Sequence, residues 1–444
     1  MSALSFLDRE RTVAPPGYRR WLVPPAALAI HLCIGQGYSL SVFNLPMSRL
    51  LGITAPAPGD WPLTTTVWMF NIAFAVLGLS AFAWGKWLER VGPRKAMFVA
   101  ALCFAGGFFI AAAGVAVHSL AVLYAGFVLY GVGLGLGYIS PVSTLIKWFP
   151  DRPGMATGMA IMGFGGGAMI GSPLAQNLMD HYQGPTSVGV APTLATMGAI
   201  YFAFMMFGVV LVRVPPPDFH PHGAGAAAKA KLGQTASMTA DRALKTPQFW
   251  LLWAVLFLNV TAGIGVLSQA SPMIQETFQG RVSAMAAAGF VGFISIFNLL
   301  GRFFWSSISD FIGRKRTYAI YFALGTLLYC AVPKLGRLGS VTLFVAAFCV
   351  IFTMYGGGFA TIPAYLRDLF GVEQVGAIHG RLLTAWSAAA VAGPSIVTYV
   401  REYQVGHGVP KAEAYTITMY VMASLLVGGL VCNALVVGEA PRTG

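Results

Sequence analysis

The sequence predicts an all-α membrane protein of twelve spanning helices, arranged as two related six-helix bundles. Three observations carry this. The chain is 57% hydrophobic and only 10% charged, whereas a water-facing domain carries about 25% charged residues. Apolar runs recur along all 444 residues, each long enough to cross a hydrocarbon core of about 30 Å. Finally, two sequence blocks return at one constant offset. Lipid offers backbone groups no hydrogen bonds, so apolar runs of this length are helices.

Taken in order, the spans are expected near 22–46, 64–88, 96–117, 119–146, 154–179, 191–213, 248–275, 282–308, 317–333, 338–366, 376–400 and 412–437. The first follows a polar segment ending in Arg19-Arg20 and is too long for the core of a cleaved signal peptide. The longest non-apolar stretch, 214–247, opens with Pro215-Pro216-Pro217 and continues in Gly, Ala and Lys, the composition of a linker. The expected organisation is a tail (1–20), a first bundle (21–213), the linker (214–247), a second bundle (248–437) and a short tail (438–444).

Twelve spans put both termini on one side. With that side inward, the outward loops hold only Arg49, Arg281, Lys334, Arg337, Arg401 and Lys411, and Arg302 lies within a span. All other Lys and Arg of the 28 fall on the inner side. The positive-inside rule then places both termini in the cytoplasm; the expected membrane is the bacterial inner membrane. The net charge of +13 is explained by basic loops facing lipid headgroups, and nothing calls for nucleic acid. The expected partners are the bilayer and a small solute, with each chain acting as a monomer. The five cysteines lie in apolar runs without CxxC spacing and read as reduced packing residues. No metal-ligand cluster, nucleophile motif or carboxylate pair is present, so neither an enzyme nor a cofactor is expected. Gly131-Val-Gly-Leu-Gly-Leu-Gly137 lacks the strand and the acidic residue of a nucleotide loop. With Gly163–Gly167 and Gly356–Gly358, it reads as close helix contact or a hinge.

The repeat is specific. Gly85-Lys-Trp-Leu-Glu89-Arg90-Val-Gly92-Pro-Arg94-Lys95 follows the second span, and Ser306-Ser-Ile-Ser-Asp310-Phe-Ile-Gly313-Arg314-Lys315-Arg316 follows the eighth. Glu89 and Asp310 are 221 residues apart, as are Gly92 and Gly313. Gly154-x-x-x-Gly158 returns as Gly376-x-x-x-Gly380 at an offset of 222. Two blocks at one offset describe a duplicated six-helix unit. An acid at a helix end beside basic residues can pair with them and with neighbouring helix termini, which makes Gly85, Glu89, Arg90, Gly92, Arg94, Asp310, Gly313 and Arg314 candidates for a conformational latch. Ordinary anchoring by basic loops is the simpler alternative. Ser306 and Phe311 depart from the first copy and predict a weaker second latch.

The first of these loops resembles the acidic–basic loop signature of the major facilitator superfamily. Within it, Lys147-Trp-Phe-Pro-Asp-Arg-Pro-Gly-Met-Ala-Thr-Gly158, Thr246-Pro-Gln-Phe-Trp-Leu-Leu-Trp253 and Phe297-Asn-Leu-Leu-Gly-Arg302 resemble the oxalate/formate antiporter family, with some motifs shared by monocarboxylate transporters. The resemblance extends over nearly all of 21–437 and implies the twelve-helix major facilitator fold and secondary transport of a small carboxylate, often by exchange.

One residue stands out on physical grounds. Arg302 is the one Lys, Arg, Asp or Glu well inside a predicted span, eight residues before Asp310. That is about 12 Å along a helix, near the bilayer centre, where a charge costs at least ~2.5–3.5 kcal/mol. With no acid in the spans to meet it, an anionic substrate is the simplest partner, since guanidinium grips carboxylate through two bonds. Pairing with helix-terminal carbonyls is the alternative. The family resemblance likewise implies a substrate-binding arginine at Arg302 and pore-lining aromatics at Tyr38, Tyr138, Tyr355 and Phe359, with Gln36 beside Tyr38 on the first span. Helix or lipid packing is the commoner role for each aromatic alone.

Two departures refine the expectation. Where oxalate transporters of that family carry a lysine on span eleven, this chain has Trp386. One arginine would leave half of a dianion unpaired, which favours a monocarboxylate over oxalate. Where some monocarboxylate transporters carry a proton-binding aspartate one turn before the arginine, this chain has Asn298. That favours exchange over proton symport, although His31 on span one can titrate. Efflux of larger amphipathic compounds, a channel and a membrane sensor are the competing functions. The linker is too short for a sensor domain.

Overall fold

In the computed structural model, residues 5–437 are described apart from 62, 67, 218 and 220–236. Most of the predicted linker and the tail 438–444 therefore lie outside the described residues. The α-helices of eight residues or more are α1 (Pro24–Ile34), α2 (Trp68–Val91), α3 (Pro93–Ala116), α4 (Leu120–Trp148), α5 (Pro153–Tyr182), α6 (Val190–Leu211), α7 (Pro247–Ser268), α8 (Ala270–Thr277), α9 (Ala284–Ile312), α10 (Arg314–Arg337), α11 (Val341–Phe370), α12 (Val375–Leu382), α13 (Thr384–Gly406) and α14 (Thr416–Leu435). Eleven helical stretches among the described residues are long and apolar enough to cross a membrane, α12 and α13 counting as one.

The first predicted span is a broken element rather than one long α-helix. α1 ends at Ile34 and continues as a 3-10 helix over Gly35–Phe43. Eleven residues at ~1.5 Å and nine at ~2.0 Å together cover about 34 Å, still a membrane thickness. The cause is local. Gly35, Gly37, Ser39 and Ser41 are weak helix formers, and a side chain on Gly35 would overlap the Phe164 backbone of α5. Long 3-10 stretches are uncommon and often mark a hinge; this one carries Gln36 and Tyr38.

Other ends are set by ordinary capping. Pro24, Pro93, Pro153 and Pro247 open α1, α3, α5 and α7, where the missing N–H costs nothing. The Thr246 hydroxyl accepts from the Phe249 amide at 3.3 Å, so the Thr-Pro pair in the motif preceding α7 is a helix start. Gly92 and Gly313 break α2 from α3 and α9 from α10 at φ 85° and 90°. Only glycine takes that backbone without strain, which explains their recurrence at the same offset.

The chain divides into two compact units. The first holds the described residues of Met1–Asp151, Ala160–Gly225 and Gln374–Leu383; the second holds those of Arg152–Met159, Ala226–Glu373 and Thr384–Gly444. Each unit therefore includes one short segment distant in sequence from the rest of it. In the first, α4 packs on α1, α2 and α3, and α6 on α1 and α3. In the second, α11 packs on α7, α9 and α10, and α14 on α7 and α10. These are equivalent pairs under the sequence repeat, so the duplication is one of packing as well as of motif.

Candidate functional site

In the second unit, Arg302 is fully buried on α9. Its Nε donates to Oδ1 of Asn298 at 3.0 Å, one turn earlier, and its guanidinium carbon lies 5.2 Å from the centroid of the Phe359 ring. Phe359 meets Trp386 at 4.6 Å and Tyr355 at 5.3 Å between ring centroids. Five predicted site residues, Arg302, Asn298, Tyr355, Phe359 and Trp386, thus form one connected cluster drawn from α9, α11 and α13. The Nε bond to the amide oxygen fixes the plane of the fork, and the aromatic face supports it.

The glycines of α11 make that approach possible. A side chain on Gly356 would overlap the Asn298 carbonyl, one on Gly357 would crowd Trp305 and Tyr321, and one on Gly358 would meet Asn259. Each glycine faces a different neighbour, so Gly356–Gly358 is a three-way close contact that seats Phe359 against Arg302. Asn259 of α7, buried beside Gly358, is a polar neighbour that periodicity alone gave no reason to select.

In the first unit, Tyr38 stacks on Phe74 at 5.5 Å and meets Phe164 edge-on at 4.9 Å. Phe164 also touches Tyr138 at 5.6 Å, and Tyr138 meets His31 at 5.3 Å and His379 at 5.8 Å. Tyr38 and Tyr138 are therefore linked through one phenylalanine. Gln36 is directed elsewhere: its side-chain oxygen accepts from the Tyr130 hydroxyl at 2.8 Å.

The loop motifs become defined contacts. In the first unit, the Glu89 carboxylate accepts from Lys147 Nζ at 2.5 Å, from Ser143 Oγ at 3.1 Å and from the backbone N–H of Gly376 at 3.0 Å. A side chain on Gly85 would overlap Ala377, and one on Gly380 would overlap the Ala81 carbonyl. In the second unit, Asp310 accepts from the backbone N–H groups of Gly154 and Met155, both at 2.8 Å. It also pairs with Arg314, which reaches Ser309 and Asp368 as well. Each acid thus caps the N-terminal amides of a helix that carries the Gly-x-x-x-Gly pair. Asp310 holds two backbone amides where Glu89 holds one.

Arg90 is exposed. Arg94 is buried and donates to the carbonyls of Phe6 and Val212, both at 2.9 Å, pinning the N-terminal segment to the end of α6. Arg381, one of the cations assigned from sequence to the inner side, is only 6% exposed on α12, 5.5 Å from the Phe82 ring centroid.

Comparison with known proteins agrees with this architecture. The Major Facilitator Superfamily profile matches residues 27–394. The oxalate:formate antiporter of Oxalobacter formigenes is 27% identical over 381 residues, covering 85% of this chain and 84% of that protein. Apicoplast pyruvate carrier 1 of Toxoplasma gondii is 24% identical, covering 84% and 82%. The crystal structure of the transporter FucP matches with a TM-score of 0.68 at 12% identity, over 95% of this chain and all of that one. Repeated packing, repeated glycine-capped breaks and a profile spanning most of the chain converge, and the protein is a multi-pass membrane transporter belonging to the Major Facilitator Superfamily.

Proposed function

We propose that the protein carries a small organic anion, a monocarboxylate rather than oxalate, by alternating access in exchange mode. Arg302 anchors the carboxylate. The observation that carries the reading is the buried guanidinium held by Asn298 and backed by Phe359, with Trp386 completing the same cluster. A preorganised fork binds a carboxylate with little further loss of side-chain freedom. An aromatic wall accommodates an apolar carbon frame and leaves the second carboxylate of oxalate without a cation there. The names of the relatives, an oxalate:formate antiporter and a pyruvate carrier, support the carboxylate class. Asn298 supports exchange, since an amide at that position carries no proton.

Under the same reading, Glu89 and Asp310 latch the two bundles, 21–213 and 248–437, in one state of the cycle, and release of their amide contacts accompanies the switch. Both termini are cytoplasmic, the membrane is the bacterial inner membrane, and a monomer suffices. The test is counterflow in proteoliposomes loaded with pyruvate, formate, lactate or oxalate. Pyruvate or formate exchanged well above oxalate, and lost in Arg302→Gln, is the expected result. Oxalate carried best, or anion flux unchanged in Arg302→Gln, overturns the reading.

A further inference from the structure

The first unit contains a buried titratable group that carboxylate anchoring does not use. His379 is 1% exposed, and among the described residues both of its ring nitrogens are buried without a hydrogen-bond partner. A buried imidazole normally engages at least one nitrogen. The ring faces Tyr138 of α4, which also meets His31 of α1. His379 lies on α12, an eight-residue helix whose seat on α2 and α4 is made by charge and close approach. Glu89 accepts from the Gly376 amide, and Gly376 and Gly380 touch Ser143 and Ala81.

We propose that His379 is a proton-binding site and that protonation there releases α12 from α2 and α4. The titratable and charged groups around the seat explain the direction. α2 supplies Glu89, while its Lys86 and Arg90 are exposed; α4 supplies Tyr138 and Lys147; and His31 of α1 meets Tyr138. On α12 itself, Arg381 follows two residues later, also buried. Glu89, the acid of the seat, is already held by Lys147, Ser143 and the Gly376 amide. An imidazolium at His379 therefore adds a second positive charge to a short buried helix that already carries Arg381, where Glu89, the acid of the seat, is engaged. Uncompensated charge is expelled toward water, and here the group that moves is a short helix tied down at its first turn. Neutral His379 permits the seat; protonated His379 opposes it. The carrier thereby acquires a pH-sensitive release built from a group that the carboxylate anchor does not contain.

The proposal rests on the carrier reading, but its test contains no substrate, so either can fail without the other. The full-length protein is reconstituted in nanodiscs, and amide hydrogen exchange of the 374–383 peptide is followed between pH 8 and pH 5, normalised to intrinsic exchange rates. Opening is expected to increase roughly five-fold or more on acidification in the wild type. It stays flat in His379→Gln and His379→Asn and is retained in His31→Gln. A flat wild-type profile, or the same rise in both His379 variants, overturns the proposal. As a readout independent of any variant, histidine-selective nitrogen NMR of the wild type should show His379 becoming doubly protonated over the pH range in which the peptide opens. Opening without that titration also overturns the proposal.

Discussion

Asp310→Asn is the most informative perturbation of the latch, because its cost can be worked out from the contacts. Asp310 accepts the amides of Gly154 and Met155 at 2.8 Å each and pairs with Arg314 on the same helix. Asparagine has one acceptor oxygen, so one amide is lost and the new side-chain NH2 confronts another donor. Hydrogen bonds to charged groups are worth about 1.5–3 kcal/mol each. Losing one and weakening another should cost the seated state about 2–4 kcal/mol, because Arg314 retains Asp368 and Ser309. At ~1.4 kcal/mol per tenfold, that shifts the equilibrium about 30- to 1,000-fold away from the state in which these groups meet. The assay is amide hydrogen exchange of a 152–159 peptide, with a peptide from α3 as internal reference. Protection of Gly154 and Met155 should fall by that factor while the reference is unchanged. Glu89→Gln should have a smaller effect on the 374–383 peptide, because Glu89 holds a single backbone amide. Unchanged protection at 154–155, or the opposite ranking, would refute the latch geometry.

Three other outcomes follow from named contacts. Arg302→Gln should weaken pyruvate-dependent thermal stabilisation of the purified protein by at least ~30-fold in apparent Kd, since removing one partner of a buried charge pair costs about 2–5 kcal/mol; undiminished stabilisation counts against Arg302 as the anchor. Asp60 is partly desolvated, which raises its carboxyl pKa, but amides from Leu51, Ala57 and Gly52 outweigh this and hold it below the usual value. Its contribution to the 51–60 loop is full above about pH 4 and disappears as pH falls through its own lower pKa, so loop protection should collapse in acid in the wild type and be low at every pH in Asp60→Ala. Gly158→Ala should lower the melting temperature because the new methyl meets Ser306 Oγ, an overpacking cost of about 1–3 kcal/mol; Ser306→Gly in the same chain should restore most of the loss, and additive effects would show that the two do not touch.

Much of the fold was legible because lipid restricts the choices. Hydropathy alone located the long helices, since a run of about twenty apolar residues in a bilayer has few alternatives. The repeat was legible through Gly92 and Gly313, where backbone conformation demands one residue type. The unread parts depend on what lies opposite. Gly35, Gly37, Ser39 and Ser41 hinted at a weak helix, but only packing against Phe164 shows why the backbone tightens there. Arg94 looked like a partner for an acid and instead binds carbonyls. His379 and Arg381 sat beside a span end, and their burial depends on the seat of α12 rather than on hydropathy. Phe359 and Trp386 lie on separate helices, so no periodicity could reveal that their rings meet behind Arg302.

The two motif copies show how one geometry survives a change of residue. In the first, Gly85 lets α2 approach Ala377 so closely that any side chain would overlap its Cα. In the second, the matching position is Ser306, and the hydroxyl turns inward to bond the Arg302 carbonyl. Space for it comes from the facing helix: side chains on Gly154 or Gly158 would overlap the Ser306 carbonyl or hydroxyl. The small residue required at such a crossing can therefore stand on either helix. What both copies keep is an acid four residues further on, positioned over the first-turn amides of the facing segment. Close approach brings those amides within reach, and the carboxylate then makes the approach favourable. A copy that kept its glycine and lost its acid would retain the fit without the bond, and one that kept its acid behind a bulky residue would have the charge but not the reach. This mutual dependence gives a physical reason for a close helix crossing and an acid to recur together in both halves of the sequence.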